Sequence, residues 1–339
     1  MNFTFYILRR VLVTIPVLWL ITVFGFALTF LIPTDPLAMV LSERAAANPA
    51  IVQAYRERWG LDAPPLERYL TYVSRLVRGD LGESIATQQP VREDIARFFP
   101  ATVELAVAAT VIAVGIGIPL GILAAVYHER WIDHVSRLLS LLGVSVPVFW
   151  LGLLALSFLY YRLHLLPGPG RLNPRIEPPP VQTGFLLLDC ILSRRWDALA
   201  DAFHHLVLPS LVLGAYSMGM ITRIMRSSML EVLRQDYIRT AHAKGLGLWG
   251  VVMRHAFRNA ALPVLTAIGL AFGNLMAGAV MTETVFAWPG IGRYAVESAA
   301  KVDFAPLMGV TIIVALIYVA INLVVDLLYA VLDPRIRLG

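Results

Sequence analysis

Charged residues are scarce in this sequence. Asp, Glu, Lys and Arg make up 15% of the 339 residues, whereas hydrophobic residues make up 58% and the mean hydropathy is +0.70. Soluble domains are nearer half apolar and a quarter charged. A single water-facing domain of this length has no interior large enough for so much apolar surface, so the composition indicates a membrane protein.

Nucleotide-binding and nucleophilic motifs are also missing. Gly245, Gly247 and Gly250 are not followed by the Lys-Ser/Thr pair that a phosphate-binding loop requires. No Ser/His/Asp or Cys/His arrangement is suggested by order or spacing, and Cys190, the only cysteine, has no disulfide partner within the chain. We therefore predict no catalytic residue and no bound cofactor, which means that this chain is not itself an enzyme.

Metal and nucleic-acid binding find little support. The adjacent pair His204-His205 does not supply the ligand set of a metal cage, so no metal site is predicted. The formal net charge is +5 and the pI is about 9.5. The arginines flank apolar stretches rather than line one helical face, so we expect no nucleic-acid partner and a lipid bilayer instead.

Long apolar stretches are what the sequence does contain. A transmembrane helix needs about 20 predominantly apolar residues, and every backbone polar group inside the bilayer must be paired internally. Six stretches meet this need: Val11–Ile32, Ala101–Tyr127, Leu138–Tyr161, Leu206–Ile224, Leu262–Met281 and Leu307–Leu328. The sequence predicts an all-α membrane protein with six transmembrane helices, of which the third is kinked at Pro147.

Six spans place both termini on the same side of the membrane. With the termini inside, the internal segments carry roughly twice as many Lys and Arg residues as the two shorter external loops, which favours cytoplasmic termini in a bacterial inner membrane. We divide the chain into residues 1–32 (N-terminus and first span), 33–100 (a small external subdomain) and 101–339 (a five-helix core). An internal coupling loop is expected at about 227–262.

The internal loop has helix signals at both ends. Asp236 is expected to cap the start of a short helix, and Gly245 to end it in the left-handed conformation. A second helix is predicted from about Trp249 to Asn259, with Pro263 at the start of the next span. Taken alone, the segment is also typical of an ordinary basic loop that touches lipid headgroups.

Four polar residues near the spans are candidates for a transport pathway. Glu104 and Glu283 lie near outer ends, where each either faces the pathway or pairs with an arginine that holds helices together. Asn274 and Asn322 lie within spans five and six, where interhelix hydrogen bonding is the alternative to a pathway role.

The order of motifs resembles the B-type permease subunit of dipeptide and oligopeptide ATP-binding-cassette (ABC) importers, over nearly the whole chain. The matching segments are Ile32–Pro36, Leu61–Tyr69, Arg78–Ser84, Pro100–Ala106, Pro147–Gly152, Ser227–Leu233, Arg234–Gly245, Arg254–Pro263, Thr282–Arg293, Asn322–Tyr329 and Asp333–Arg337. The external insert Val181–Asp189 is similar to the dipeptide branch, and argues against the glutathione branch.

The resemblance implies the type I importer permease fold and a coupling helix that docks in a groove of an ATPase. Arg239, Thr240, Ala241 and Gly245 fall at the Glu, Ala, Ala and Gly of the family's internal motif, so Arg and Thr depart from the general pattern. The ATPase-coupling residues implied in this way are Arg239, Thr240, Ala241, His242, Ala243, Lys244 and Gly245. From the residues themselves, Ala241 and Ala243 are expected to allow close approach of another protein.

The implied partners are a second homologous permease, two cytoplasmic ATPase subunits that bind ATP and Mg²⁺, and an external substrate-binding protein that delivers peptide cargo. Other cargoes remain open, namely a nickel chelate or glutathione. An autonomous secondary transporter is a rival function, although such proteins usually show inverted repeats that we do not find by eye. A membrane scaffold without transport activity is the third reading.

Overall fold

The structure is a computed structural model that describes residues 3–31, 48–59 and 63–332. Parts of the expected external subdomain and the two chain ends lie outside these residues, and so do the motifs at Ile32–Pro36 and Asp333–Arg337. The described helices are α1 (Phe3–Leu31), α2 (Pro49–Trp59), α3 (Pro65–Val77), α4 (Val91–Val126), α5 (Trp131–Ser145), α6 (Val148–Arg162), α7 (Leu186–Leu192), α8 (Trp196–Leu233), α9 (Asp236–Ala243), α10 (Leu248–Gly278), α11 (Val280–Val285), α12 (Ile291–Ala300) and α13 (Phe304–Leu332). Beyond these helices, the only β-pairing in the described ranges is an isolated bridge between Glu83 and Pro90.

The fold is an all-α membrane protein, as the sequence predicts. Within the described residues, α4, α8, α10 and the Phe304–Val325 part of α13 are long and apolar enough to cross a membrane. The bent pair α5–α6 raises this number to five if it counts as one span. The described apolar part of α1, Thr14–Ala27, is shorter than a full span, so the predicted count of six is compatible with the structure but is not established by it.

The third span differs from the prediction of one kinked helix from Leu138 to Tyr161. It is split into α5 and α6, which meet at 107°. Val146 takes an extended conformation (φ −84°, ψ 127°) immediately before Pro147. Proline lacks the backbone N–H that a helix needs and disfavours helical geometry in the residue before it. The chain therefore breaks here, where the sequence analysis expected only a kink.

The predicted boundary between the second internal helix and span five is also wrong. α10 is one helix from Leu248 to Gly278 that continues through Pro263, with a π-helical segment at Val252–Ala256. The proline removes only one ladder hydrogen bond, and a buried stripe (Val252, Ala256, Ala260, Val264) holds the helix together on both sides of it. The helix consequently begins well inside the predicted loop.

Helix α8 is the centre of the packing, because α4, α5, α6, α7 and α10 all contact it. Small residues let the backbones approach closely, which is how membrane helices associate without a hydrophobic driving force between them. A Cβ atom at Gly214 of α8 would lie 2.7 Å from the carbonyl oxygen of Ala109 in α4. At Gly117 of α4 it would lie 3.1 Å from the carbonyl oxygen of Met218.

Candidate functional site: an internal coupling segment and an external polar network

The predicted coupling residues form a short helix between two spans. α9 begins at Asp236, only two residues after α8 ends, and it ends at Ala243. The prediction that Asp236 caps this helix is wrong, because Gln235 is the N-cap residue and makes no side-chain capping bond. Asp236 is the first helical residue, and its carboxylate lies 3.4 Å from Arg239 Nη1 in an exposed pair.

The end of α9 agrees with the sequence prediction. Gly245 has φ +80°, its N–H donates to the His242 carbonyl at 2.9 Å, and the Leu246 N–H donates to the Ala241 carbonyl at 3.4 Å. Both bonds pair carbonyl groups that a helix end leaves open. A Cβ atom at Gly245 would have no neighbour within 4 Å, so this position requires glycine for its backbone angle and not for lack of space.

One face of α9 is anchored in the protein and the other is open. Ile238 and Ala241 are 2% and 7% exposed, and they share an apolar cluster with Met225 and Met229 of α8. Ala241 therefore packs inward and supports the segment, instead of providing the surface for close approach that was predicted. The other predicted coupling residues are exposed: Arg239, Thr240, His242, Ala243, Lys244 and Gly245.

An exposed apolar group beside α9 was not singled out by the sequence analysis. It consists of side chains that are 41–51% exposed: Tyr237, Leu246, Leu248, Trp249 and Met253. The Asn259 side chain donates to the Tyr237 hydroxyl at 3.0 Å, which ties α9 to α10. The signal in the sequence was the apolar run Leu246-Gly-Leu-Trp249 inside an otherwise basic loop. This arrangement is suited to docking a protein, because apolar and aromatic anchors surrounded by polar residues dominate protein interfaces.

Glu104, a candidate pathway residue, is part of a polar network at the N-terminal part of α4, which is predicted to be external. Its carboxylate pairs with the largely buried Arg171 guanidinium and accepts the Leu187 N–H at 2.9 Å. Arg171 also lies over the ring of Trp288, 5.5 Å from the centroid. The Trp288 indole N–H donates to the Ala101 carbonyl at 2.8 Å. These contacts join the loop after α6, the N-terminal part of α4 and the loop after α11. Glu104 therefore pairs with an arginine that holds these elements together, which was one of the two roles predicted for it.

Glu283, the second external candidate, has no exposed surface. Its carboxylate accepts the Thr102 hydroxyl at 2.6 Å and the Arg293 N–H at 2.8 Å. Gly292 leaves space for it, since a Cβ there would lie 2.9 Å from Glu283 Oε2. The carboxylate thus sits at the N-terminus of α12, where free backbone N–H groups favour negative charge. Burial raises the pKa of this carboxyl group despite these hydrogen bonds.

The two asparagine candidates differ in exposure. Asn274 is exposed on α10, whereas Asn322 is half-buried on α13 and donates to the Tyr318 carbonyl at 3.0 Å. This bond lies within one helix, so it is not the interhelix bond expected for Asn322. Of the four pathway candidates, Asn274 is the only one whose side chain is exposed in this chain. The pathway role of all four remains a prediction.

His205, one of the two adjacent histidines, is part of a local polar contact. His205 is buried, and its Nδ1 atom lies 2.9 Å from the Asp201 carbonyl and 3.1 Å from Asp201 Oδ2. Asp201 Oδ2 also accepts the Asn173 N–H at 2.7 Å. In the part of the chain that the structure describes, no three His, Cys, Asp or Glu side chains cluster as a metal site would require.

Comparison with known proteins identifies close relatives. The chain belongs to the family described as the binding-protein-dependent transport system inner membrane component, whose family model matches residues 117–338, and the model for the N-terminal region matches residues 3–106. The "Probable D,D-dipeptide transport system permease protein DdpB" of Escherichia coli (strain K12) is 48% identical, covering 94% of this chain and 93% of that protein.

Two further relatives cover the chain almost completely. The dipeptide transport system permease protein DppB of Alkalihalophilus pseudofirmus is 44% identical, covering 98% of this chain and 99% of that protein. The glutathione transport system permease protein GsiC of Escherichia coli O6:H1 is 36% identical, covering 98% of each. Among solved structures, a chain of the MetNI methionine ABC transporter in an inward-facing crystal form has a TM-score of 0.51 at 14% identity. The match covers 69% of this chain and 93% of that one, and it supports the fold alone.

Proposed function

We propose, from the membership of this chain in the binding-protein-dependent transport system inner membrane component family, that it forms half of an import pathway for dipeptides or short oligopeptides. The chain is a permease subunit of an ABC transporter, a multi-pass inner-membrane transport component. The observation that carries the cargo assignment is the 48% and 44% identity, over nearly the full length, to permeases named for dipeptides.

The internal segment supports coupling to separate ATPases. α9 presents an exposed surface, yet Ile238 and Ala241 anchor it in an apolar cluster that residues of α4, α8 and α10 share. A partner that binds this surface would therefore move α8 as well. Coupling of ATP binding to transport requires a structural element with two states, and ATP and the transported cargo must favour different states of it. We propose that α9 and Gly245 are that element's contact with two cytoplasmic ATPases, which supply the ATP and Mg²⁺ sites.

The remaining partners follow from the same proposal. A second, homologous permease completes the pathway, an external substrate-binding protein delivers the peptide, and both termini of this chain lie in the cytoplasm. Because Asn274 is exposed, we assign it a role in the pathway or in the interface with the second permease. Glutathione is the second candidate cargo, and the lower identity of 36% to a glutathione permease makes it the weaker one.

Purification of the tagged chain from its native membrane tests the proposal. We expect a second permease and one or two ATPases to be identified by mass in the gentle detergent extract. The recovered complex, placed in lipid vesicles with its binding protein, should take up labelled dipeptide with ATP and should prefer dipeptide to glutathione. Recovery of this chain alone, from an extract in which other membrane complexes survive, would favour an autonomous transporter.

A further inference from the structure

Helix α5 buries three polar residues on one face and exposes mostly apolar residues on the other. Asp133, Ser136 and Ser140 are 0%, 2% and 3% exposed. They follow one another at helical spacing and so share a face. Beside the exposed His134 and Arg137, the outward side chains are six apolar ones that are 44–73% exposed: Trp131, Val135, Leu138, Leu139, Leu141 and Leu142. This pattern places a polar face of α5 against the protein and leaves a largely apolar face uncovered.

Close backbone packing joins the polar face of α5 to α8. A Cβ atom at Gly219 would lie 2.6 Å from the Ser140 carbonyl oxygen, and one at Gly143 would lie 2.7 Å from the Ala215 carbonyl oxygen. The contacts pair rising numbers on α5 with falling numbers on α8, so the two helices are antiparallel along nearly the whole of α5.

A buried ion pair completes this contact at the inner end. Arg226 of α8 donates through Nε to Asp133 Oδ1 at 2.6 Å and through Nη2 to Oδ2 at 2.9 Å. The Glu129 N–H donates to Oδ2 at 3.0 Å, and Arg137 Nε lies 3.4 Å from Oδ1. A carboxylate held by a two-pronged guanidinium bond has a fixed orientation as well as a charge partner.

The same end of α8 carries the coupling segment. Only Arg234 and Gln235 separate α8 from α9, and Ile238 and Ala241 of α9 belong to the apolar cluster that contains Met225 of α8. The C-terminal turns of α8 thus contact α9 through this cluster and α5 through its polar face. Arg226 lies on α8 next to Met225, between the coupling segment and α5.

The far end of α5 leads to the outer side of the bundle. After the 107° break at Pro147, α6 packs on Leu208 and Val212 of α8 and on the end of α11, where a Cβ at Gly152 would lie 3.2 Å from Val285 and 3.3 Å from Phe286. The Phe286 carbonyl accepts the Gly170 N–H at 2.8 Å. The break thus lies between α5, which packs on the C-terminal half of α8 that leads to the coupling segment, and α6, which packs on the N-terminal half of α8 and on Val285 and Phe286.

We propose that Asp133 is a positioning residue of the transport cycle: through Arg226 it makes the inner half of the third span move with the coupling segment, and the Pro147 break absorbs the motion. This inference rests on the proposed function. An ion pair between the two helices transmits a displacement in either direction, whereas apolar packing alone would permit α8 to slide along α5.

The test uses the complete importer in lipid vesicles, with ATP hydrolysis and dipeptide uptake measured in the same sample. Wild-type uptake tests the proposed function, and only the variants test the role of Asp133. For Asp133→Asn and for Arg226→Gln we expect uptake per ATP hydrolysed to fall at least fivefold, while hydrolysis continues. The double variant should be no worse than either single one, because both remove the same bond. Wild-type uptake per ATP in both single variants would overturn the proposal.

Glu297→Gln is the matched control. It removes an exposed ion pair with Arg293 (2.8 Å) that lies within α12 and joins no two helices, so it should leave uptake per ATP unchanged. An equal loss in this variant would also contradict the assigned role.

A spin-label measurement keeps the proposal testable if the Asp133 variants do not assemble. Spin labels are attached to cysteines introduced at exposed positions. The distance between labels at Val135 and Ser227 measures the position of α5 relative to α8, and the distance between labels at Val135 and Leu153 measures the geometry across the break. Cys190 is completely buried and should not react. On binding of a non-hydrolysable ATP analogue, the first distance should stay constant and the second should change. A change in the first distance as large as that in the second would overturn the proposal.

Discussion

Replacement of Gly245 by alanine isolates the turn that ends the coupling helix. The residue has φ +80°, and a Cβ atom added there would meet nothing within 4 Å. The substitution therefore introduces backbone strain without a steric clash. An L-residue in the left-handed conformation costs about 1–2 kcal/mol. Such a cost lowers the ratio of the observed turn to alternative conformations by a factor of about 5–30.

The expected functional effect follows from this ratio. If the ATPases bind only the observed turn, the apparent affinity falls in proportion to the fraction of chains that have it. We expect Gly245→Ala to weaken ATPase binding, and uptake at limiting ATPase, by at most about 5–30-fold. Gly245→Asn should have a smaller effect, because asparagine enters the left-handed region more readily.

Gly247→Ala is the control that the chain itself offers. Gly247 lies two residues away and a Cβ atom added there would also meet nothing within 4 Å, but its φ is −64°. Alanine is free to adopt that angle. The substitution should leave the stability of the protein unchanged or raise it by about 0.4–1 kcal/mol, because alanine lowers the conformational entropy of the unfolded chain. Both variants would be compared by ATPase pull-down and by dipeptide uptake. Equal losses in the two would refute the assignment of the effect to the left-handed angle.

Three stability predictions follow from the packing and the external network, each measured as thermal unfolding of the purified chain. Gly219→Ala forces a Cβ to 2.6 Å from a backbone oxygen and should destabilise the protein by about 1–3 kcal/mol. Gly115→Ala is the control: a Cβ there has no neighbour within 4 Å, so the variant should be neutral or more stable by about 0.5–1 kcal/mol. Equal effects of the two variants would contradict the role of close packing. Trp288→Phe leaves the Ala101 carbonyl without its 2.8 Å donor and should cost about 1–3 kcal/mol; an unchanged unfolding temperature would contradict this. Burial raises the pKa of Asp189, but hydrogen bonds from its neighbours outweigh burial and lower it overall. The deficit of Asp189→Asn should therefore be present at pH 7 and shrink as pH falls below about 4, and a deficit that grows on acidification would contradict the sign.

The amino-acid sequence was sufficient for the class of protein and for the short helix that ends before Gly245. The scarcity of charge and the long apolar stretches require helices in lipid, because backbone groups there must be paired within the helix. Gly245 was recognised as a helix end because only a few residue types enter the left-handed region readily. These properties depend on neighbouring residues along the chain, and for that reason a sequence reveals them.

Tertiary structure alone decided which polar residues meet. Asp133 and Arg226 are 93 residues apart in the chain, and Thr102 and Glu283 are 181 apart. No local pattern pairs them, since each contact depends on how whole helices pack. The same holds for Ala241, whose small side chain suits either a docking surface or an internal contact; the position of α8 beneath α9 selects the internal one. Likewise, the proline at position 147 predicts a bend, but the 107° angle between α5, which packs on α8, and α6, which packs on Phe286, is not given by any local pattern.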